Sequence, residues 1–140
     1  LASDDLLFVP SGRSLPVAVS KEDGEIVFQT DASTTEMQET IYSMAWSPDS
    51  KRLGFVYVLD EPSGYTYHVG VLDVEEEKIT LYCSPEVYQY TQLYWSPDNR
   101  YLLYPSQVAD SDELSSYVLN IETGQNTLVM DGYFPGGWMK

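Results

Sequence analysis

The stretch Ala45-Trp46-Ser47-Pro48-Asp49 returns forty-nine positions later as Tyr94-Trp95-Ser96-Pro97-Asp98. Each copy runs on into an apolar segment, Leu53-Gly54-Phe55-Val56-Tyr57-Val58 after the first and Tyr101-Leu102-Leu103-Tyr104 after the second. Self-similarity at such a spacing means one supersecondary unit used repeatedly, each copy burying on its neighbour the face it cannot bury alone. Trp46, Trp95 and Trp138 stand 49 and 43 residues apart, which divides a single domain over 1–140 into units of approximately 3–46, 46–95 and 95–138.

The repeated tetrapeptide has a local mechanism. Proline pre-sets φ at the first central position of a turn, aspartate suits the second, and Ser50 or Asn99 follows where the chain must reverse tightly. Pro48 with Asp49 and Pro97 with Asp98 are therefore read as turn formers that close a hairpin between each tryptophan strand and the next apolar run. Composition agrees with strands: 12 Tyr, 4 Phe and 3 Trp accompany many β-branched residues, the types that pack on a pleated surface. Turn signals then delimit strands at Asp5–Val9, Leu15–Ser20, Glu25–Gln29, Ile41–Trp46, Leu53–Val58, Tyr67–Val74, Ile79–Tyr82, Tyr90–Trp95, Tyr101–Tyr104, Tyr117–Ile121 and Asn126–Met130. Phe134–Trp138 would open a further unit.

Leu53, Phe55 and Tyr57 fall on one face of their strand, and Val56 and Val58 on the other. A strand apolar on both faces is covered on both sides. Four-stranded sheets stacked around an axis supply that cover, whereas a two-sheet sandwich leaves one face of most strands polar. The expected fold class is all-β and β-propeller-like. It has three four-stranded antiparallel blades, forming an open arc or half of a six-bladed ring. Trp46, Trp95 and Trp138 are then inter-blade packing residues.

The segments Trp46-Ser47-Pro48-Asp49-Ser50-Lys51-Arg52-Leu53 with Val71-Leu72-Asp73-Val74, and Trp95-Ser96-Pro97-Asp98-Asn99-Arg100-Tyr101-Leu102 with Val118-Leu119-Asn120-Ile121-Glu122-Thr123-Gly124, resemble the WD40-like PD40 repeat of TolB-type propellers. The first unit departs from the pattern: it lacks a tryptophan strand and keeps only Ser3-Asp4-Asp5-Leu6-Leu7-Phe8. The resemblance implies a propeller, and a periplasmic or extracellular location. It is neutral about activity, since such propellers occur in periplasmic scaffolds, in surface proteins and beside prolyl-oligopeptidase-type hydrolase domains.

Acidic residues number 22 against 7 basic ones, a formal charge of −15. A surface of that sign repels polyanions, so nucleic acid and anionic membrane are poor partners and a basic protein surface suits it. No apolar run reaches the length of a membrane span, and no membrane insertion is expected. The single cysteine, Cys83, allows no internal disulfide. Neither Cys83 nor the sole histidine, His68, has a neighbour in sequence that would complete a nucleophile or zinc site. Asp110-Ser111-Asp112-Glu113 gathers oxygen donors but lacks the glycine and distal glutamate of a calcium loop. No catalytic motif occurs. The expectation is a protein that is not an enzyme, with no catalytic residue, no metal and no cofactor.

In a blade, short and long connections fall on opposite rims. Ser47–Ser50, Glu75–Lys78, Ser96–Asn99 and Glu122–Gln125 are short; Leu59–Thr66, Cys83–Gln89 and Pro105–Ser116 are long. Loop length and function tend to coincide, which points to Asp60, Glu61, Tyr65, Tyr88, Tyr90, Asp110, Asp112 and Glu113 as partner-binding residues, aromatics beside carboxylates. Three blades do not close a ring. Two readings stay open: the chain is a stretch of a longer propeller, or two chains form a strand-exchanged homodimer. The expected function is a non-enzymatic scaffold binding a protein partner with a basic surface. The alternative is the propeller portion of a larger hydrolase.

Overall fold

A computed structural model describes residues 6–9, 17–20, 26–29, 43–61, 64–85, 87, 91–107, 114–132 and 135–138. Eleven strands and no helix occur among them: β1 Leu6–Val9, β2 Val17–Ser20, β3 Ile26–Gln29, β4 Met44–Trp46, β5 Arg52–Glu61, β6 Gly64–Asp73, β7 Lys78–Leu81, β8 Tyr94–Trp95, β9 Tyr101–Gln107, β10 Leu114–Asn120 and β11 Asn126–Met130. They form three antiparallel meanders, ordered β1-β2-β3, β4-β5-β6-β7 and β8-β9-β10-β11. Of the expected three four-stranded sheets, two are present among the described residues beside a three-stranded one, and these sheets do not close into a ring.

The hairpin turns follow from the repeated tetrapeptide. The N–H of Ser50 donates to Ser47 O at 2.9 Å, and that of Asn99 to Ser96 O at 3.0 Å. Ser50 and Asn99 both then take φ of 61°, the left-handed residue that completes a type I turn between antiparallel strands. Inside each turn the serine hydroxyl donates to the aspartate carboxylate, Ser47 to Asp49 at 2.6 Å and Ser96 to Asp98 at 2.5 Å. The same serine oxygens accept the N–H groups of Arg52 and Tyr101. The Ser96 hydroxyl, with the Arg100 N–H, holds the Asp98 carboxyl below its usual range.

Beyond the turns, three strands run differently from the sequence expectation. Leu59–Thr66 is strand over its described residues, 59–61 and 64–66: β5 and β6 pair as far as Asp60↔Tyr65 and Glu61↔Gly64, because Tyr65 and Thr66 are good strand formers and Gly64, at φ 124°, lets the chain turn. Similarly, β9 continues through Pro105 to Gln107. Beyond Leu103 it has no β8 partner on one side, the setting in which a strand tolerates proline. Conversely, Phe134–Trp138 is not a strand over its described residues, 135–138.

The two four-stranded sheets stack face to face. Ala45, Gly54, Val56, Val69 and Val71 of the second sheet meet Trp95, Leu102, Tyr104 and Leu119 of the third in one apolar cluster. Gly54 is where they come closest, since a Cβ there would lie 3.1 Å from Leu102 Cδ1 and 3.3 Å from Trp95 Nε1. On its other face the second sheet buries Leu53, Phe55, Tyr57 and Leu72. Both faces of β5 are therefore closed to water, at a gain of about 1.5–3 kcal/mol for each large apolar side chain.

Candidate functional site

The connection from β7 to β8 seals the interface along the rim that carries the longer loops. Val87 N–H donates to Tyr67 O at 2.8 Å, and Val87 bridges to Ser106 of β9. Ser84 Oγ accepts the Val69 N–H at 3.2 Å, and Thr91 Oγ1 donates to Pro105 O at 3.4 Å. Val87 and Thr91 are fully buried by these contacts. One blade-to-blade crossing thus becomes a wedge between two sheets.

Three of the eight expected binding residues lie among the described residues. Asp60 and Glu61 end β5 and Tyr65 lies in β6, so all three sit at the tip of the long β5–β6 hairpin, with Asp60 opposite Tyr65. Tyr88 and Tyr90 stand between the anchored Val87 and Thr91, and Asp110, Asp112 and Glu113 join β9 to β10; these five lie outside the described residues. At the same rim Asp131, just after β11, accepts a hydrogen bond from the Ser115 hydroxyl.

Basic residues are confined to one of the two rims, which also carries Asp49, Asp73, Glu75, Glu76, Glu77, Asp98 and Glu122. Lys51, Arg52, Lys78 and Arg100, the basic residues of the two four-stranded sheets, all lie at the short-turn rim, where β5, β7 and β9 begin. Three are paired there: Lys51 with Glu75 at 2.8 Å, Arg52 with Asp73 at 2.9 Å and Arg100 with Glu122 at 3.1 Å. In contrast, the segments 58–67, 82–93 and 105–116 contain Asp60, Glu61, Glu86, Asp110, Asp112 and Glu113 and no lysine or arginine.

A cleft of about 160 Å³ opens between the sheets on the short-turn rim, lined by Arg52, Asp73, Lys78, Tyr82 and Glu122 among others. Sequence reasoning missed it. The signal was the hairpin register, which sets Arg52 directly opposite Asp73. Burial alone would raise the Asp73 carboxyl, but the Glu76 N–H and the Arg52 guanidinium outweigh it and hold the group below the usual carboxylate range. Burial pushes the Tyr82 phenol up, and its hydroxyl donates to Ile121 O across the interface at 2.7 Å. Two basic side chains, Arg52 and Lys78, face three acidic ones, Asp73, Glu76 and Glu122, in this cleft.

Other candidate groups are structural in their surroundings. His68 Nε2 lies 3.1 Å from Thr66 Oγ1, and its ring is 5.6 Å from that of Tyr57 across the ladder. Cys83 is exposed. Among the described residues no group of three or more His, Cys, Asp or Glu side chains is placed to hold a metal ion. No described helix is long and apolar enough to cross a membrane.

Two of the repeat tryptophans, Trp95 and Trp138, follow one rule. Trp95 Nε1–H donates to Ala45 O at 2.8 Å, and Trp138 Nε1–H donates to Tyr94 O at 2.9 Å. Each indole reaches back to the carbonyl just before the tryptophan of the preceding unit. Pro48, Asp49, Pro97 and Asp98 lie exposed in the turns. The Asp49 N–H donates to Asn99 Oδ1 at 3.1 Å, tying the two turns together.

No protein-family model matches this sequence, and no curated protein does. Solved structures do match its fold. TolB from Acinetobacter baumannii superposes with a TM-score of 0.54 at 20% identity, over 86% of this chain and 27% of TolB. Dipeptidyl peptidase 4 from Porphyromonas gingivalis superposes with a TM-score of 0.52 at 14% identity, over 96% of this chain and 24% of that one. A eukaryotic initiation factor superposes with a TM-score of 0.51 at 15% identity, over 92% of this chain and 33% of that one. The chain thus spans about a quarter to a third of the length of these structures, and the fold it shares with the first two is a TolB-like β-propeller.

Proposed function

We propose that this chain is a non-enzymatic propeller scaffold whose long-loop rim binds a protein with a basic surface. The observation that carries the reading is the confinement of basic residues to one rim. Every basic residue of the two stacked sheets stands on the opposite rim, so the segments that hold Asp60, Glu61, Asp110, Asp112 and Glu113 carry carboxylates and no basic residue. Such a field raises the encounter rate with cations and discriminates against anionic partners. Tyr65, Tyr88 and Tyr90 add rigid aromatic surface of the kind that anchors protein interfaces. An exported location, which the repeat resemblance implies, is compatible with this role.

The test measures binding of polylysine and polyglutamate to the chain at low and moderate salt. Polylysine binding that weakens as salt rises is expected, with no polyglutamate binding. Neutralising Asp110, Asp112 and Glu113 to Asn, Asn and Gln should weaken it several-fold. Neutralising Glu75, Glu76 and Glu77 to Gln removes the same formal charge from the other rim and should have much less effect. Equal effects of the two triple variants would overturn the reading.

A second reading is favoured by the similarity to dipeptidyl peptidase 4, of which this chain spans 24%. In it the propeller accompanies a hydrolase domain and screens access to it. An α/β domain carrying a nucleophile elbow in the same open reading frame would establish that reading.

A further inference from the structure

The cleft on the short-turn rim lies between the second and third sheets, and register builds its floor. Arg52 pairs with Asp73, and Asp73 with Lys78, so three charged side chains stand in one row across β5, β6 and β7. The next row on the same face is Gly54, Val71 and Thr80. Ile121 and Glu122, just after β10, form the facing wall. The Tyr82 hydroxyl ties the two walls together through its bond to Ile121 O.

Most of the charge in the cleft is engaged within the protein. The Asp73 oxygens accept the Glu76 N–H at 3.0 Å and the Arg52 Nε–H at 2.9 Å, and Glu122 is held by Arg100. Two lining charges enter none of the ion pairs among the described residues: the Lys78 ammonium and the Glu76 carboxylate. The Thr80 hydroxyl stands two residues from Lys78 on the same face of β7. An ammonium and a hydroxyl are donors for a carboxylate, and a carboxylate accepts from an ammonium. Val71, Tyr82 and Ile121 add apolar lining to this polar set.

We propose that this cleft binds a zwitterionic α-amino acid with an apolar side chain, its carboxylate on Lys78 and Thr80 and its ammonium on Glu76. Charge selects the zwitterion over simpler ions. With 22 acidic residues against 7 basic ones, the field of the protein disfavours a bare anion. A bare cation would meet Lys78 with nothing to offer it. A ligand bearing both charges answers both free groups and carries no net charge into that field. The volume of about 160 Å³ suits a small molecule. The site stands on the opposite rim from the carboxylates assigned to a protein partner, so the two readings stand or fall separately.

Titration of the 140-residue chain with leucine, followed by the amide signals in nitrogen–proton NMR spectra, tests the proposal. Saturable shifts are expected at Glu76, Lys78, Thr80 and Glu122, with half-saturation between about 0.1 and 10 mM for a ligand of so few atoms. N-acetyl-leucine lacks the ammonium and leucinamide lacks the carboxylate; each should bind at least about fivefold more weakly. Lys78→Gln should weaken leucine by a similar factor without weakening leucinamide. Glu76→Gln should weaken leucine without weakening N-acetyl-leucine. Both side chains are exposed, so neither variant challenges the core. The proposal is overturned if leucine gives no saturable shift, if its affinity survives both substitutions, or if either derivative binds as well as leucine.

Discussion

Trp95 hydrogen-bonds through its indole N–H to the main-chain oxygen of Ala45, 2.8 Å away and 50 residues earlier in the chain. The bond crosses from the third sheet to the second and fixes their relative height, while Gly54 and Ala45, with little or no side chain, leave room for the ring. A repeat protein of this kind is stabilised mainly by such nearest-neighbour contacts.

Trp95→Phe keeps most of the apolar ring but removes the indole N–H bond to the Ala45 carbonyl, which keeps its ladder partner Gly54. Losing such a hydrogen bond costs about 0.5–1.5 kcal/mol, and the smaller ring adds a cavity. Urea unfolding should register a loss in that range or above. Trp138→Phe, at an indole 36% exposed, should cost less than about 1 kcal/mol in the same assay.

Gly70 has no room for a methyl group. A Cβ there would stand 2.5 Å from Phe55 Cζ, and Phe55 is fully buried. Gly70→Ala should therefore destabilise by about 1–3 kcal/mol through overpacking. Shortening the opposing ring relieves the clash, so adding Phe55→Leu should cost less in the Gly70→Ala background than alone. A double-mutant cycle measures that coupling.

At position 50 the same turn geometry favours a different residue. Ser50 and Asn99 share φ of 61°, and asparagine tolerates the left-handed region better than serine. Ser50→Asn should stabilise by roughly 0.4–1 kcal/mol, within the range found for residues better matched to their backbone. Asn99→Ser should destabilise by more than that gain, because the Asn99 side chain also accepts the Asp49 N–H. Thermal unfolding of the two single variants checks both signs.

Alkaline pH should unfold the chain through its buried phenols. Burial pushes Tyr57 up to about 12 and also raises Tyr104, which is fully buried. A tyrosine ionises near 10 when unfolded. These groups bind their protons more tightly in the folded state, so their contribution is complete below pH ~10 and is lost as pH climbs towards the folded value. Tyr57→Phe should flatten the fall in stability between about pH 10 and 12 and leave stability at pH 7 nearly unchanged. Chemical denaturation across that range reads the difference.

The legibility of this fold in the sequence varied with the kind of interaction. Strand order and hairpins were readable because Ser-Pro-Asp turns and apolar runs act over a few residues, and β1 to β11 fall where those signals place them. Strand ends were not. Pro105 reads as a breaker, yet β9 runs through it because β8 stops short, a fact about a neighbouring strand. Asp60, Glu61 and Gly64 read as a loop, yet continuing the β5–β6 ladder satisfies their backbones. The cleft between Arg52, Asp73 and Glu122 needed the stacking of two sheets to exist. The rim charge pattern, by contrast, follows from sequence once topology assigns each segment to an end.

The central claim is that successive sheets stack through the tryptophan-to-carbonyl bond. Nuclear Overhauser contacts from the indole N–H protons of Trp95 and Trp138 test it most directly. The account predicts contacts from the Trp95 indole proton to Gly54 and Ala45, and from the Trp138 indole proton to Tyr94 and Tyr101. A Trp95 indole proton that exchanges freely with water and meets only residues of its own sheet would contradict it.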